Sequence, residues 1–366
     1  MIRRSLMVFG LLACFTMCWA QAQSLSQTTD SLVSAFVAKT KVPGLSLSIS
    51  QKGELVYSKG FGFADLASKT PVDPSKSLFR IGSVSKTLTA AGLGILYDDG
   101  KVDLDAPIQK YVPSWPQKQG EITLRRLAGH LAGIRHYKGN EFFNQTKYET
   151  VTDGLGFFIN DPLINEPGTA YSYSSYGWNL LSVAMENAAA PAASFLSTKD
   201  FLQFMQESVF DALGMNNTTA DHADRDIANR VSFYTMGSAG PAEAPYVDNS
   251  YKWAGGGFVG TTEDLCKFGQ AHMKEGFLKQ STLDTWMTSQ KTTSGKPTNY
   301  GIGWRTFEQD NGDIYYGHSG GSVGGVTFFL IHKPTETVLA ITGNLSPLNY
   351  GGIQYELMNL YVKEAK

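Results

Sequence analysis

The chain has 366 residues, 42% hydrophobic and 17% charged, a composition that excludes a disordered or low-complexity protein and provides one large domain or two lobes. Its 31 Lys and Arg against 33 Asp and Glu give a formal charge of −2 with no basic run, which argues against a nucleic-acid partner. The 38 glycines and 12% aromatic residues point to a sheet-containing fold with many tight turns.

In chain order, Arg3 and Arg4, an apolar run from Leu6 to Trp19 and Ala20-Gln21-Ala22 have the order of a secretory signal, predicted over 1–22 with the mature chain at 23–366. The run falls short of the roughly 20 apolar residues a membrane span needs. "LLAC" offers a second reading, lipidation at Cys14. Processing would remove Cys14 and Cys18 and leave Cys266 alone, so the mature chain would have no internal disulfide. Residues 25–41 read as an amphipathic helix, and "VPGLSLSISQKGELVYSKGFGFAD" alternates apolar and polar residues about Gln51-Lys52-Gly53, a hairpin pattern. Ser83 to about Asn187 reads as mostly helical, broken by Pro and Gly turns. "TTEDLCKFGQAHM" is a helix opened by Thr261 or Thr262, with Cys266 as buried filler. "GDIYYGHSG", "GVTFFLIHK" and "ETVLAITGN" are spaced as a three-strand meander, and a helix closes the chain over 352–364. Strands at both ends predict an α+β fold: one antiparallel sheet lobe (about 25–82 and 300–366) with a mostly helical lobe (about 83–299) inserted.

"FRIGSVSKTLTAAGLGILYDDG" (79–100) carries the chemistry. Ser83 and Lys86 lie three apart, on one face at a helix start, where the dipole disfavours an ammonium. That placement suits catalysis: a serine needs a base beside it, and burial at the positive end of a helix lowers a lysine pKa. Ser83 also offers its backbone N–H to an oxyanion. Alone, S-x-x-K arises by chance roughly once or twice in a chain this rich in Ser and Lys. Two further segments strengthen it: "EPGTAYSYSSYGWNLL", holding Tyr173, and "YYGHSGGSVGG", holding His318 at a strand end.

This order, Ser-x-x-Lys, a Tyr-x-Asn-like triplet and a basic-x-Gly strand, resembles the serine β-lactamase and penicillin-binding-protein superfamily on its class C-like branch. "GHLAGIRHY", "NDPLINEPG" and "PYVDNSYKWAGGGF" narrow the resemblance to the mitochondrial serine β-lactamase-like proteases of animals. The resemblance implies a β-lactamase/DD-peptidase-like fold, an antiparallel sheet flanked by helices. Ser83 is then the acylated nucleophile, Lys86 its base and Tyr173 the proton relay. The N–H groups of Ser83 and Gly321 form the oxyanion hole. Ser175, His318, Ser319, Gly320, Trp253 and Gly256 line the substrate cleft. Two departures argue against an efficient β-lactamase: Ser175 replaces the Asn of the triplet, and His318 replaces a permanent cation. A long charged insertion of the mitochondrial branch is missing after "RHYKGNEFFNQ". Glu166, His130, His136 and the acidic "DHADRD" loop read as structure, with no metal-ligand spacing and no cofactor expected. The expected protein is an exported, periplasmic or secreted serine hydrolase, a peptidase or an esterase, acting on a peptide or small acyl substrate. A D-alanyl carboxypeptidase or weak β-lactamase is the alternative within that chemistry, and a non-catalytic peptide-binding protein the alternative outside it. A homo-oligomer has no support in the sequence.

Overall fold

A computed structural model describes residues 23–189 and 200–366; the expected signal, with Cys14 and Cys18, lies outside the described residues. Helix α1 (23–40) leads into the hairpin β1 (Gly44–Gln51) and β2 (Glu54–Asp65). Its two-residue turn is the expected one: Lys52 (φ 50°) and Gly53 (φ 90°) are both left-handed, as a type I′ turn requires. β3 (Thr70–Pro71) forms the edge beyond β2, and the C-terminal third supplies β4 (Arg305–Glu308), β5 (Ile314–Ser322), β6 (Gly325–His332) and β7 (Thr337–Gly343). The sheet runs β3-β2-β1-β7-β6-β5-β4, antiparallel throughout. β1 pairs with β7 from Leu45↔Gly343 to Gln51↔Thr337, so the two ends of the chain close one sheet and the stretch between β3 and β4 is an insertion.

One sheet face buries Leu45, Leu47, Ile49 and Ile341 under α1 and the closing helix α5 (Ile353–Ala365). The alternation in β1 suggests a wet opposite face, yet Ser46, Ser48 and Ser50 are buried as well. Helix α4 (Thr262–Gln270) lies across them. Thr262 Oγ1 is 2.7 Å from the hydroxyls of both Ser46 and Ser48, and Gln270 Nε2 donates to Ser50 at 2.9 Å. Small hydroxyls let the helix approach while satisfying one another. At Gly269 a Cβ would lie 2.5 Å from Val338, so only glycine permits this approach. Thr261 caps α4 by accepting from Asp264 N–H, and Cys266 is buried as expected.

In the insertion, α2 (Ser85–Asp98) and α3 (Ser175–Ala189) are core helices, each with eleven buried residues, a degree of enclosure that a surface amphipathic helix does not have. The stretch between them corrects the expectation of mostly helical structure. Over 99–174 the only α-helix is the five-residue Leu124–Ala128. Side chains do there what a backbone ladder would do. The Arg135 guanidinium donates to Glu141 (2.7 and 2.9 Å), to Asp161 and to the carbonyls of His136 (2.9 Å) and Phe157 (2.6 Å). Among the described residues, no helix is long and apolar enough to cross a membrane.

Candidate active site

Ser83 lies in a 3₁₀ turn (Gly82–Val84) that runs straight into α2, and Lys86 sits in the first turn of that helix. Lys86 is fully buried, and its Nζ lies 3.1 Å from Ser83 Oγ, 3.0 Å from Ser175 Oγ and 2.5 Å from the Gly255 carbonyl oxygen. Burial first, then the charges of Lys252 and Arg305, push its pKa well below the usual lysine value. An amine that has lost its proton still gives two N–H bonds to Gly255 and Ser175. Its lone pair then faces the Ser83 hydroxyl.

The turn is pressed against β5. A Cβ on Gly320 would lie 1.9 Å from Ile81 O and 3.0 Å from Ser83 N, and one on Gly82 (φ 52°) 2.7 Å from Gly321 N. The backbone N–H groups of Ser83 and Gly321 therefore lie at one junction. A buried ion pair braces it: Arg80 Nε donates to Asp221 (2.6 Å) and Arg80 Nη1 to the Val323 carbonyl (2.9 Å). Asp221 also accepts from Arg230 and Asn249. The acidic "DHADRD" loop thus begins with a structural residue, Asp221, that is 1% exposed.

Tyr173 stands before α3, its ring centroid 4.9 Å from Lys86 Nζ and its hydroxyl facing those of Ser83 and Ser175. Two imidazoles hold this turn. His130 Nδ1 accepts from Ser174 N–H and His136 Nδ1 from Ser175 N–H, both at 3.1 Å, and the His130 ring lies 4.3 Å from that of Tyr173. Both histidines have lowered pKa values, chiefly through burial and then Lys86, that of His136 to about 4. They are neutral acceptors, in line with the structural role expected of them. Glu166 is exposed in its turn.

Several expected cleft residues are placed otherwise. Ser175 is 2% exposed and its hydroxyl oxygen accepts from Lys86 Nζ, so it belongs to the Lys86 network rather than to an open cleft wall. Trp253 is buried, its indole 5.0 Å from the His222 ring and lining a separate cavity of about 460 Å³. It turns inward because the short helix Trp253–Gly256 presents its backbone to Lys86. Gly256 does lie over the Gly82–Ser83 peptide, whereas Gly255 makes room for Ser175: a Cβ there would meet the Ser175 carbonyl at 3.0 Å.

His318 is the largest correction. It reaches the site but is 1% exposed, with both ring nitrogens occupied. Nδ1–H donates to the Ser319 carbonyl at 2.6 Å, which leaves Nε2 to accept from the Tyr300 hydroxyl at 2.9 Å. Burial, then Lys86 and Arg305, hold its pKa well below the ordinary histidine value. It is neutral and presents nothing to a substrate carboxylate. Take kcat/KM for a substrate with a carboxylate beside the scissile bond, divided by that of its neutral amide. From about pH 6 to 8 the ratio is expected to stay flat within about twofold, because no histidine charge changes there. A ratio falling steadily across that window in the wild type, and flat in His318→Gln, would show that the ring protonates and reads the anion.

The sequence reading missed Tyr300, the Gly255 carbonyl and Arg305, whose guanidinium lies 5.5 Å from the Tyr173 ring and 5.9 Å from that of Tyr300. All three come from segments distant in sequence with no spacing rule to mark them. Among the described residues no group of three or more His, Cys, Asp or Glu is placed to hold a metal.

Comparison with known proteins identifies the family and the fold. A beta-lactamase family model matches residues 29–361. The human mitochondrial serine beta-lactamase-like protein LACTB is 30% identical, over 88% of this chain and 74% of that protein. Penicillin-binding protein 4* of Bacillus subtilis is 27% identical, over 80% of this chain and 66% of that one. Two solved structures share the fold. The octameric penicillin-binding protein homologue from Pyrococcus abyssi has a TM-score of 0.78 at 23% identity, over 92% of this chain and 77% of that one. The D-amino acid amidase from Ochrobactrum anthropi has a TM-score of 0.76 at 23% identity, over 93% and 98%. With the fold, the family match and a buried Ser-x-x-Lys pair in agreement, this chain belongs to the beta-lactamase family and is a serine hydrolase.

Proposed function

We propose that the protein is an exported amide hydrolase, a peptidase foremost, working through an acyl-enzyme on Ser83. The observation that carries this reading is the fully buried Lys86 amine 3.1 Å from Ser83 Oγ. Lys86 takes the Ser83 proton as Oγ attacks the scissile carbonyl carbon. The tetrahedral oxyanion is held by the N–H groups of Ser83 and Gly321. The proton then passes through the Tyr173 hydroxyl to the leaving amine, and the C–N bond breaks. Water attacks the acyl-enzyme, gives one proton to the same network and releases the acid with Ser83 restored. The D-aminopeptidase of Gluconobacter oxydans, 24% identical over 87% of this chain, supports an amide substrate. The occupied nitrogens of His318 weigh against a β-lactamase or a carboxypeptidase that depends on gripping a carboxylate at that position. Export rests on the pattern of residues 1–22.

A fluorophosphonate probe tests the nucleophile. The wild-type protein is expected to be labelled covalently on Ser83, and Ser83→Ala not at all. A folded wild type that stays unlabelled would point instead to a peptide-binding protein with a silent site. Mass spectrometry of peptides cleaved by the mature protein then separates peptidase from esterase.

A further inference from the structure

One buried cation has no part in the steps above. Lys252 is 2% exposed, immediately before the short helix whose Gly255 carbonyl receives Lys86. Its ammonium is enclosed by rings: Nζ lies 4.4 Å from the centroid of Phe142, 5.1 Å from Tyr251 and 5.4 Å from Tyr137. Among the described residues no carboxylate is in ion-pair contact with it; Asp221 acts on it from a distance, but that carboxylate is already committed to Arg80 and Arg230. Ring faces attract a cation without neutralising it. Its field therefore reaches its surroundings without a counter-ion in contact to cancel it. One of the groups it reaches is Lys86.

Resting on the reading of Ser83 and Lys86 given above, we propose that Lys252 is a positioning residue for the base: its caged ammonium disfavours a second positive charge at Lys86 and so keeps the Lys86 amine free to accept the Ser83 proton. A lysine beside another cation in a desolvated site is a recognised way to obtain a free amine near neutral pH. The other groups facing Lys86 are accounted for. Arg305 of β4 carries a permanent charge, Tyr173 is a neutral phenol, and His130, His136 and His318 are held neutral. Lys252 itself faces Arg80, Asp221 and the Tyr137 and Tyr251 phenols, and burial followed by Arg80 lowers its pKa to about 7. Among these groups, Lys252 is the cation that titrates where a hydrolase operates.

The test is the pH dependence of Ser83 labelling by a fluorophosphonate, from pH 5 to 10, in wild type, Lys252→Met and Lys252→Arg. Methionine fits an aromatic cage but carries no charge. It is expected to move the acid limb to higher pH by about one unit, a roughly tenfold loss of rate on the limb with a much smaller change on the alkaline plateau. Arginine keeps the charge, and its limb is expected at or below the wild-type position. The inference is overturned if both variants slow labelling by one factor at every pH, which marks a packing residue. It is equally overturned if the arginine limb rises as far as the methionine limb. A wild type that does not label at all removes the reading of Ser83 first, and this inference with it.

Discussion

Lys86→Met is expected to lower kcat/KM for an amide substrate by ~10⁴–10⁶-fold while shifting the thermal transition by only a few degrees. Loss of activity follows from the geometry. Without the amine, the Ser83 hydroxyl loses the base that lies 3.1 Å away, and a neutral hydroxyl is a poor nucleophile. Ser83→Ala is expected to fall as far, and the double variant no further, because members of one proton-transfer unit do not add. Stability is the less obvious half. Lys86 and Lys252 both have pKa values lower in the folded than in the unfolded chain. The unfolded state therefore binds more protons, and each group makes the fold less stable as pH falls through the interval between its unfolded and folded values. Methionine removes that term at Lys86. Against this, it leaves the Gly255 carbonyl without its partner, a cost of about 1–3 kcal/mol. The two effects oppose each other, so a melting curve near neutral pH should barely move, and the acid side should gain. A variant that loses activity and also unfolds would show that Lys86 holds the lobes together rather than serving Ser83.

What was legible in the sequence follows the reach of each physical rule. The Lys52-Gly53 turn, the β5–β7 meander and the Ser83–Lys86 spacing are set by neighbours within a few residues, where turn chemistry and helical pitch decide. The serine alternation in β1 marks the strand but not the burial of its second face, because α4, some 215 residues on, supplies hydroxyls that make a dry serine face acceptable. The irregular stretch over 99–174 was misread for a similar reason: Arg135 substitutes side-chain donors for a helix ladder, and composition does not reveal that. At the site, family order placed Ser83, Lys86, Tyr173, Ser175 and His318 around one cleft. It could not show that the Tyr300 hydroxyl and the Ser319 carbonyl consume the His318 ring, nor that Lys86 donates to the Ser175 hydroxyl. A motif states which residues meet; their hydrogen-bond partners depend on segments that the motif does not contain.

Tyr173→Phe removes one hydroxyl and leaves the ring packed on His130 and beneath Lys86. Burial is the main cause that pushes the Tyr173 pKa up to about 12, so at neutral pH the group is a phenol with a proton to give, not a phenolate. Its hydroxyl faces those of Ser83 and Ser175, the latter bonded to Lys86, so the proton that Lys86 collects has a short route back out through Tyr173. Such a donor matters in proportion to the leaving group's need for a proton. An amine departs only when protonated, and general-acid help of this kind is worth ~10²–10⁴-fold, so kcat/KM for an amide substrate is expected to fall by that much. A p-nitrophenyl ester of the same acyl group leaves as a stable anion and should lose less than about tenfold on the same scale. The comparison is internal to one variant, so a general loosening of the site, which would slow both substrates alike, is separated from loss of the proton. Equal losses for amide and aryl ester would show that Tyr173 does not act in expulsion of the leaving group. Losses below about threefold for both would mark it as a packing ring, and the proton would have to leave Lys86 by another route.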